Sequence, residues 1–114
     1  MKNATRIQPC YHVYVIELRA EVLALGRFAA ANPGYDYDPQ HPPLYVGITG
    51  RSPETRFEQH VSGYKASRYT RRNAKRLRMD LAGELVFTTR AEAEHMEELQ
   101  AVQLRARGYA VWQN

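Results

Sequence analysis

Two short runs rich in β-branched and aromatic residues, Tyr11 to Leu18 and Leu44 to Thr49, constrain this chain more than anything else in it. Each has the composition of a strand that packs on a pleated, partly buried surface. The residues after each run then limit the architecture. Beyond the first, Arg19 to Ala31 carries Ala20, Val22, Leu23, Ala24, Leu25, Phe28 and Ala29, a helix-favouring set, and Asn32-Pro33-Gly34 stops it. Tyr35 to Pro43 contains Pro39, Pro42 and Pro43 and reads as an extended loop. Beyond the second run, Ser52-Pro53-Glu54 starts a helix. Serine caps the free amides, proline fits the first helical position, and the acid faces the positive end of the helix dipole. That helix is expected to run to Val61 or Ser62 and to end at Gly63.

The remaining pattern extends the same theme. The stretch through roughly Asn73 to Asp80 reads as another helix, Gly83 to Thr89 as a third strand, and Ala91 to Arg107 as a long helix with Gly108 just past its end. On that helix Met96, Leu99, Val102 and Ala106 form the expected apolar face, and the tail from Tyr109 is apolar enough to dock. The predicted fold is therefore α/β: a small central sheet of three strands, mixed or mostly antiparallel, flanked by helices, with residues 19–43 inserted between the first two strands. A chain of 114 residues suits one such domain, spanning 1–114.

Charge is unevenly spread. Between Tyr64 and Met79 lie Lys65, Arg68, Arg71, Arg72, Lys75, Arg76 and Arg78 with no acid among them. A solvated helix face is the plain reading of such a run. Solvated faces usually interleave acids for i,i+4 pairing, however, and this one favours arginine, whose planar fork suits phosphate oxygens. With Tyr64 and Tyr69 flanking it, Lys65, Arg68, Tyr69, Arg71, Arg72, Lys75 and Arg76 become the candidate nucleic-acid surface. No apolar run reaches the length of a membrane span, so no membrane partner is expected. The single cysteine, Cys10, cannot form an internal disulfide, and the start lacks a signal-peptide core, so the expected location is cytoplasmic.

A second group of residues carries chemistry. Tyr14 and Tyr45 lie on the first two strands and share a face if the register allows. Arg56 and His60, four apart, share a face of the following helix, which leaves Phe57 and Val61 for the core. Glu97 sits beside Met96 at the edge of the apolar face of the long helix. Singly, each has a structural explanation: strand tyrosines pack, an Arg-x-x-x-His pair lies on a surface, and a glutamate among Glu92, Glu94 and Glu98 is solvated. His12, His41 and His95 form no metal-ligand spacing, and zinc would need more Cys and His.

Together these residues resemble a family. His12-Val13-Tyr14 stands where GIY-YIG endonucleases have Gly-Ile-Tyr, and Tyr45-Val46-Gly47 stands for Tyr-Ile-Gly. Arg56-Phe57-Glu58-Gln59-His60 matches the family's R-x-x-x-H block. Ser62-Gly63 followed by Ser67-Arg68-Tyr69-Thr70-Arg71 resembles the glycine and K-Y-T-R segment of the small stand-alone members. Glu92-Ala93-x-x-x-Glu97 matches E-A-x-x-x-E on the last long helix, and Asn114 falls where a near-terminal asparagine is expected. The resemblance runs from Tyr11 to the end and rests on the order and spacing of these blocks.

It implies a metal-dependent endonuclease hydrolysing phosphodiester bonds, with DNA the expected substrate. Carried over, Tyr45 is the general base or orients the attacking water, with Tyr14 assisting. Arg56 stabilises the phosphate, His60 sits beside Tyr45 as a proton-transfer or phosphate-contacting partner, and Glu97 is the sole protein ligand of Mg²⁺ or Mn²⁺. Gly47 lets backbone and substrate approach. Two departures stand out: His12 replaces the first motif glycine, and the 19–43 insertion is long for the family, either a lid or a surface ornament. Sequence recognition, absent a second DNA-binding domain, falls to DNA structure or to a targeting partner protein. Two other classes of function remain: a catalytically inactive nucleic-acid-binding module using residues 65–78, and a protein-interaction domain using the 20–31 helix.

Overall fold

The computed structural model describes residues 10–83 and 86–113. Strand β1 (Tyr11–Leu18) is the centre of a mixed, open, five-stranded sheet. On one side it pairs antiparallel with β2 (Leu44–Thr49), which pairs parallel with β5 (Val111–Gln113). Its other edge is shared by two short antiparallel strands, β4 (Val86–Phe87) opposite Tyr11 and His12, and β3 (Ala74–Leu77) opposite Ile16 to Leu18.

The expected three strands are thus five. The tail, read as merely docked, forms β5, and residues 74–77, read as helix, form β3. Intrinsic preference of Ala, Lys, Arg and Leu does favour helix, but the free edge of β1 offers backbone partners that outweigh it. The expected strand at 83–89 is shorter, with Val86–Phe87 forming β4. Gly83 instead ends the preceding helix, Thr88 and Thr89 leave the sheet so that Thr89 caps the long helix, and residues 84 and 85 lie outside the described residues.

The sheet is covered on both faces. On one, Val13, Val15, Leu44, Val46 and Val111 pack against Leu81 of α4 (Met79–Ala82) and against Ala101 and Leu104 of α5 (Arg90–Ala106). On the other, Tyr14, Ile16, Leu18 and Tyr45 pack against Val22 and Phe28 of the insertion and Tyr69 of α3 (Arg68–Asn73). The insertion is not one helix but a 3-10 turn (Ala20–Ala24) and a short helix α1 (Gly26–Ala30), broken at an extended Leu25. Six residues of continuous helix would set Val22 and Phe28 about 120° apart. The break turns both inward, and both are fully buried. Asn32 then ties the insertion down: its Nδ2 donates to the carbonyls of Phe28 and Val111, and its Oδ1 accepts from the Val111 amide and from Arg105 Nε.

Helix α2 (Pro53–Ser62) begins and ends as the sequence predicts, with Ser52 Oγ accepting from the Thr55 amide and Gly63 closing it in the left-handed region at φ 90°. Its inward face differs from expectation. His60 is fully buried while Val61 stays exposed. On α5 the buried stripe is Ala93, Glu97, Ala101 and Leu104, and Leu99 and Val102 face outward. Small alanines hide this stripe from a reading that tracks the large apolar residues. Glu97 therefore sits in the middle of the buried face rather than at its edge.

Candidate active site

The register of β1 and β2 places the two tyrosines together. Tyr14 lies opposite Gly47 and Tyr45 opposite Ile16, so both phenols project from one face. Their ring centres are 6.2 Å apart. Gly47 makes this possible: a Cβ there would lie 2.6 Å from the Tyr14 hydroxyl oxygen and 3.0 Å from the Tyr45 ring. The space above Gly47 is filled by the protein's own tyrosines, which corrects the expectation that it admits substrate. His12, two residues before Tyr14, shares its face and lies opposite Thr49.

Helix α2 delivers His60 between them. Its ring centre is 5.8 Å from that of Tyr14 and 5.2 Å from that of Tyr45, the latter edge-on. It lies beside Tyr45 as expected, yet its hydrogen bond is to the other phenol, with His60 Nε2 2.7 Å from Tyr14 Oη. His60 Nδ1 is 2.7 Å from Thr70 Oγ1. A buried histidine is tolerated here because both ring nitrogens have partners. Burial, with the Arg56 charge adding to it, pushes the imidazole down to about 4, so it is neutral at pH 7. Burial also pushes the Tyr14 phenol up to about 12, with Arg56 opposing, and raises Tyr45 further.

Glu97 comes from the α5 layer and is 4% exposed. Its Oε2 is buried with no hydrogen-bond partner among the described residues. Burial pushes its carboxyl up to about 7, with Glu94 adding to the shift and Arg90 opposing it. Its negative charge adds only slightly to the upward push on both tyrosines, which burial dominates. No cluster of three or more metal-ligating side chains exists among the described residues. One buried carboxylate oxygen without a partner suits a hard ion that keeps most of its water and shares the substrate's oxygens, such as Mg²⁺ or Mn²⁺, and does not suit a cation caged by protein.

Arg56 is half-buried and spends its fork on the next loop. Nη1 donates to Gln59 Oε1 and the Tyr64 carbonyl, each at 3.1 Å, and Nη2 to the Lys65 carbonyl at 2.8 Å. Lys65 is held in the left-handed region at φ 47°. The expected basic surface divides. Lys65, Arg68, Arg71 and Arg72 are exposed, whereas Tyr69 is buried against Phe28 and Trp112 and offers no ring to a nucleic acid from there. Exposed Tyr64 flanks the run in its place. Lys75 and Arg76 are exposed but paired, together with Arg78, to a carboxylate the sequence run does not contain, that of Glu17 on β1. Asn114 lies outside the described residues.

Sequence reasoning gave Thr70 no role beyond its place in the K-Y-T-R-like segment, and missed Glu17 altogether. Thr70 is ten residues from its histidine across a turn, so no helical spacing links them. A cavity of about 590 Å³ lies elsewhere, between residues 32–41 and the end of α5, and none of the predicted site residues lines it. No helix among the described residues is long and apolar enough to cross a membrane. Comparison of the chain with family models, with curated proteins and with solved structures gave no match.

Proposed function

We propose that this protein is a GIY-YIG-type endonuclease that hydrolyses phosphodiester bonds in DNA. The observation that carries the reading is the buried Oε2 of Glu97, without a partner among the described residues, in a chain whose strand register and α2 also bring Tyr14, Tyr45 and His60 together. A buried polar atom left without a partner costs stability, so its retention argues for use. Glu97 is the residue to hold Mg²⁺ or Mn²⁺, which when bound supplies charge neutralisation and Lewis-acid polarisation of a phosphate oxygen.

The chain's own groups account for the rest. Water attacks phosphorus, one ester P–O bond breaks, and the released oxygen takes a proton from solvent. The proton of the attacking water passes to the Tyr14 oxygen as the Tyr14 proton passes to His60 Nε2, along the 2.7 Å hydrogen bond. This assigns proton acceptance to Tyr14 with His60, and leaves Tyr45 to orient the water. Arg56 serves the phosphate by exchanging its carbonyl partners for phosphate oxygens. Lys65, Arg68, Arg71 and Arg72 hold the flanking backbone, a contact that weakens with salt.

The test is cleavage of labelled single-stranded, duplex and branched DNA with Mg²⁺ or Mn²⁺. The parent should cut only with metal, Glu97→Ala should not cut, and Tyr14→Phe should be slower by roughly 10²–10⁴-fold, the range for a lost acid–base group. Equal DNA binding by parent and Glu97→Ala with no cutting by either would replace the nuclease with a binding module built on the exposed arginines.

A further inference from the structure

We propose that Thr70 is the positioning residue that decides which nitrogen of His60 carries the proton, and so makes Tyr14 the donor in the bond they share. Three hydrogen bonds and the number of hydrogens available to them suffice to decide this. Thr70 Oγ1 lies 3.1 Å from the Ser67 carbonyl oxygen, which can only accept. The hydroxyl's one hydrogen is directed there. Its lone pairs remain for His60 Nδ1 at 2.7 Å, so Nδ1 must bear a hydrogen. A neutral imidazole has only one N–H, which leaves Nε2 bare to accept from the Tyr14 hydroxyl at 2.7 Å.

The first turn of α3 holds Thr70 in this orientation. Ser67 caps the helix, its Oγ accepting from the Tyr69 amide at 3.0 Å. Its carbonyl, already taken up by the Thr70 and Arg71 amides, also receives the hydroxyl. Thr70 is fully buried, so no water competes for the hydroxyl. The chain of bonds ends on a backbone carbonyl that neither gives nor takes a proton. When Tyr14 O–H breaks and Nε2–H forms, the proton has no exit past Thr70, and the imidazolium returns it to the Tyr14 oxygen as that oxygen releases to solvent the proton it took from the attacking water. Reversing the chain, with Thr70 donating to Nδ1, would leave the Ser67 bond unmade and aim an N–H at the phenol. His60 could then accept nothing from Tyr14. The catalytic consequence rests on the nuclease reading; the tautomer does not.

The experiment is ¹⁵N NMR of the histidine-labelled full chain near neutral pH, without DNA or metal, with the His60 signals assigned by their loss in His60→Gln. In the parent, Nδ1 should be protonated and Nε2 bare. Thr70→Val should shift the population toward the Nε2–H form, and Thr70→Ser should keep the parent pattern. In cleavage, Thr70→Val should lower kcat by about 10–100-fold, the range for partners that orient an active group, with KM for DNA unchanged, and Thr70→Ser should restore it. An Nε2–H tautomer in the parent, or an unaltered Nδ1–H tautomer in Thr70→Val, overturns the assignment. Should Thr70→Val fail to fold, the parent and Thr70→Ser spectra still decide it. Tautomers that match the expected pattern in a protein that cuts nothing uphold the role of Thr70 and reject the nuclease.

Discussion

Glu17 and Glu97 are both buried carboxylates, 3% and 4% exposed, and the protein treats them in opposite ways. Around Glu17 it has gathered cations. Arg76 Nε and Arg78 Nη1 both donate to Oε1 at 2.9 Å, and Lys75 Nζ lies 3.5 Å from Oε2. Burial alone would raise that carboxyl, but the hydrogen bonds from Arg76 and Arg78 outweigh it and hold it below the ordinary range. Around Glu97 no ion pair forms among the described residues, and only the charge of Arg90 opposes the shift. One oxygen has no partner, Glu94 and Glu98 add repulsion, and the carboxyl rises to about 7. Burial by itself says nothing about purpose. The satisfied carboxylate holds an edge strand in place, whereas the unsatisfied one is available for the metal role proposed for it.

The largest effects separate the two by exchange. Glu97→Gln should lower metal-dependent cleavage by on the order of 10²–10³-fold or more, as losing an electrostatic contact to the transition state does, while the protein stays folded. Glu17→Gln should do the reverse: cleavage per folded molecule is kept, and urea unfolding shows a loss of about 1–3 kcal/mol as Arg76 and Arg78 lose their charged acceptor. Equal effects of both substitutions on cleavage would erase the contrast.

A smaller effect comes from binding. At ten times its Kd, Mg²⁺ should stabilise the parent by about 1.4 kcal/mol and leave Glu97→Gln unmoved, read as a shift in Tm. The smallest is the dependence on pH. Glu97 is raised in the folded chain from 4.5 to about 7, so its contribution is intact below 4.5 and is lost as pH climbs through about 7. Glu17 is lowered, so its contribution is present above the ordinary carboxyl range and is lost as pH falls through its folded value. The Tm advantage of metal-free Glu97→Gln over the parent should therefore grow from pH 5 to roughly pH 8. The Tm deficit of Glu17→Gln should shrink on acidification. A Glu97→Gln advantage that stays flat with pH would show that its carboxyl titrates normally.

Much of the site was legible because its residues stand on elements with strong local signals. β1 and β2 are fixed by composition, and Ser52, Pro53 and Gly63 bound α2, so the elements that carry Tyr14, Tyr45 and His60 could be read, though not the inward turn of His60. The parts that were not legible depend on partners distant in sequence. The run from Lys75 to Arg78 reads as an unpaired basic helix until Glu17, about 60 residues earlier, is brought against it, after which Lys75 to Leu77 are part of an edge strand and Arg78 follows it. Tyr69 reads as a surface ring until Phe28 and Trp112 close over it. The depth of Glu97 was hidden because Ala93 and Ala101 bury as fully as leucines while contributing little apolar weight. The bond from His60 to Tyr14 instead of Tyr45 was beyond reach, because it depends on where the folded chain seats the imidazole between the two phenols.

The amide of Asn32 has a consequence for how the molecule behaves among its neighbours. It meets Val111 with one acceptor and one donor, the amide to Oδ1 at 2.7 Å and the carbonyl from Nδ2 at 3.1 Å. That is the pair of bonds a neighbouring strand would make. β5 ends the sheet on that side, and bare sheet edges invite addition by other chains. A single side chain from the insertion, backed by Arg105 on the same carbonyl, acts as a strand one residue long and leaves no vacant rung at Val111 for a stranger to take.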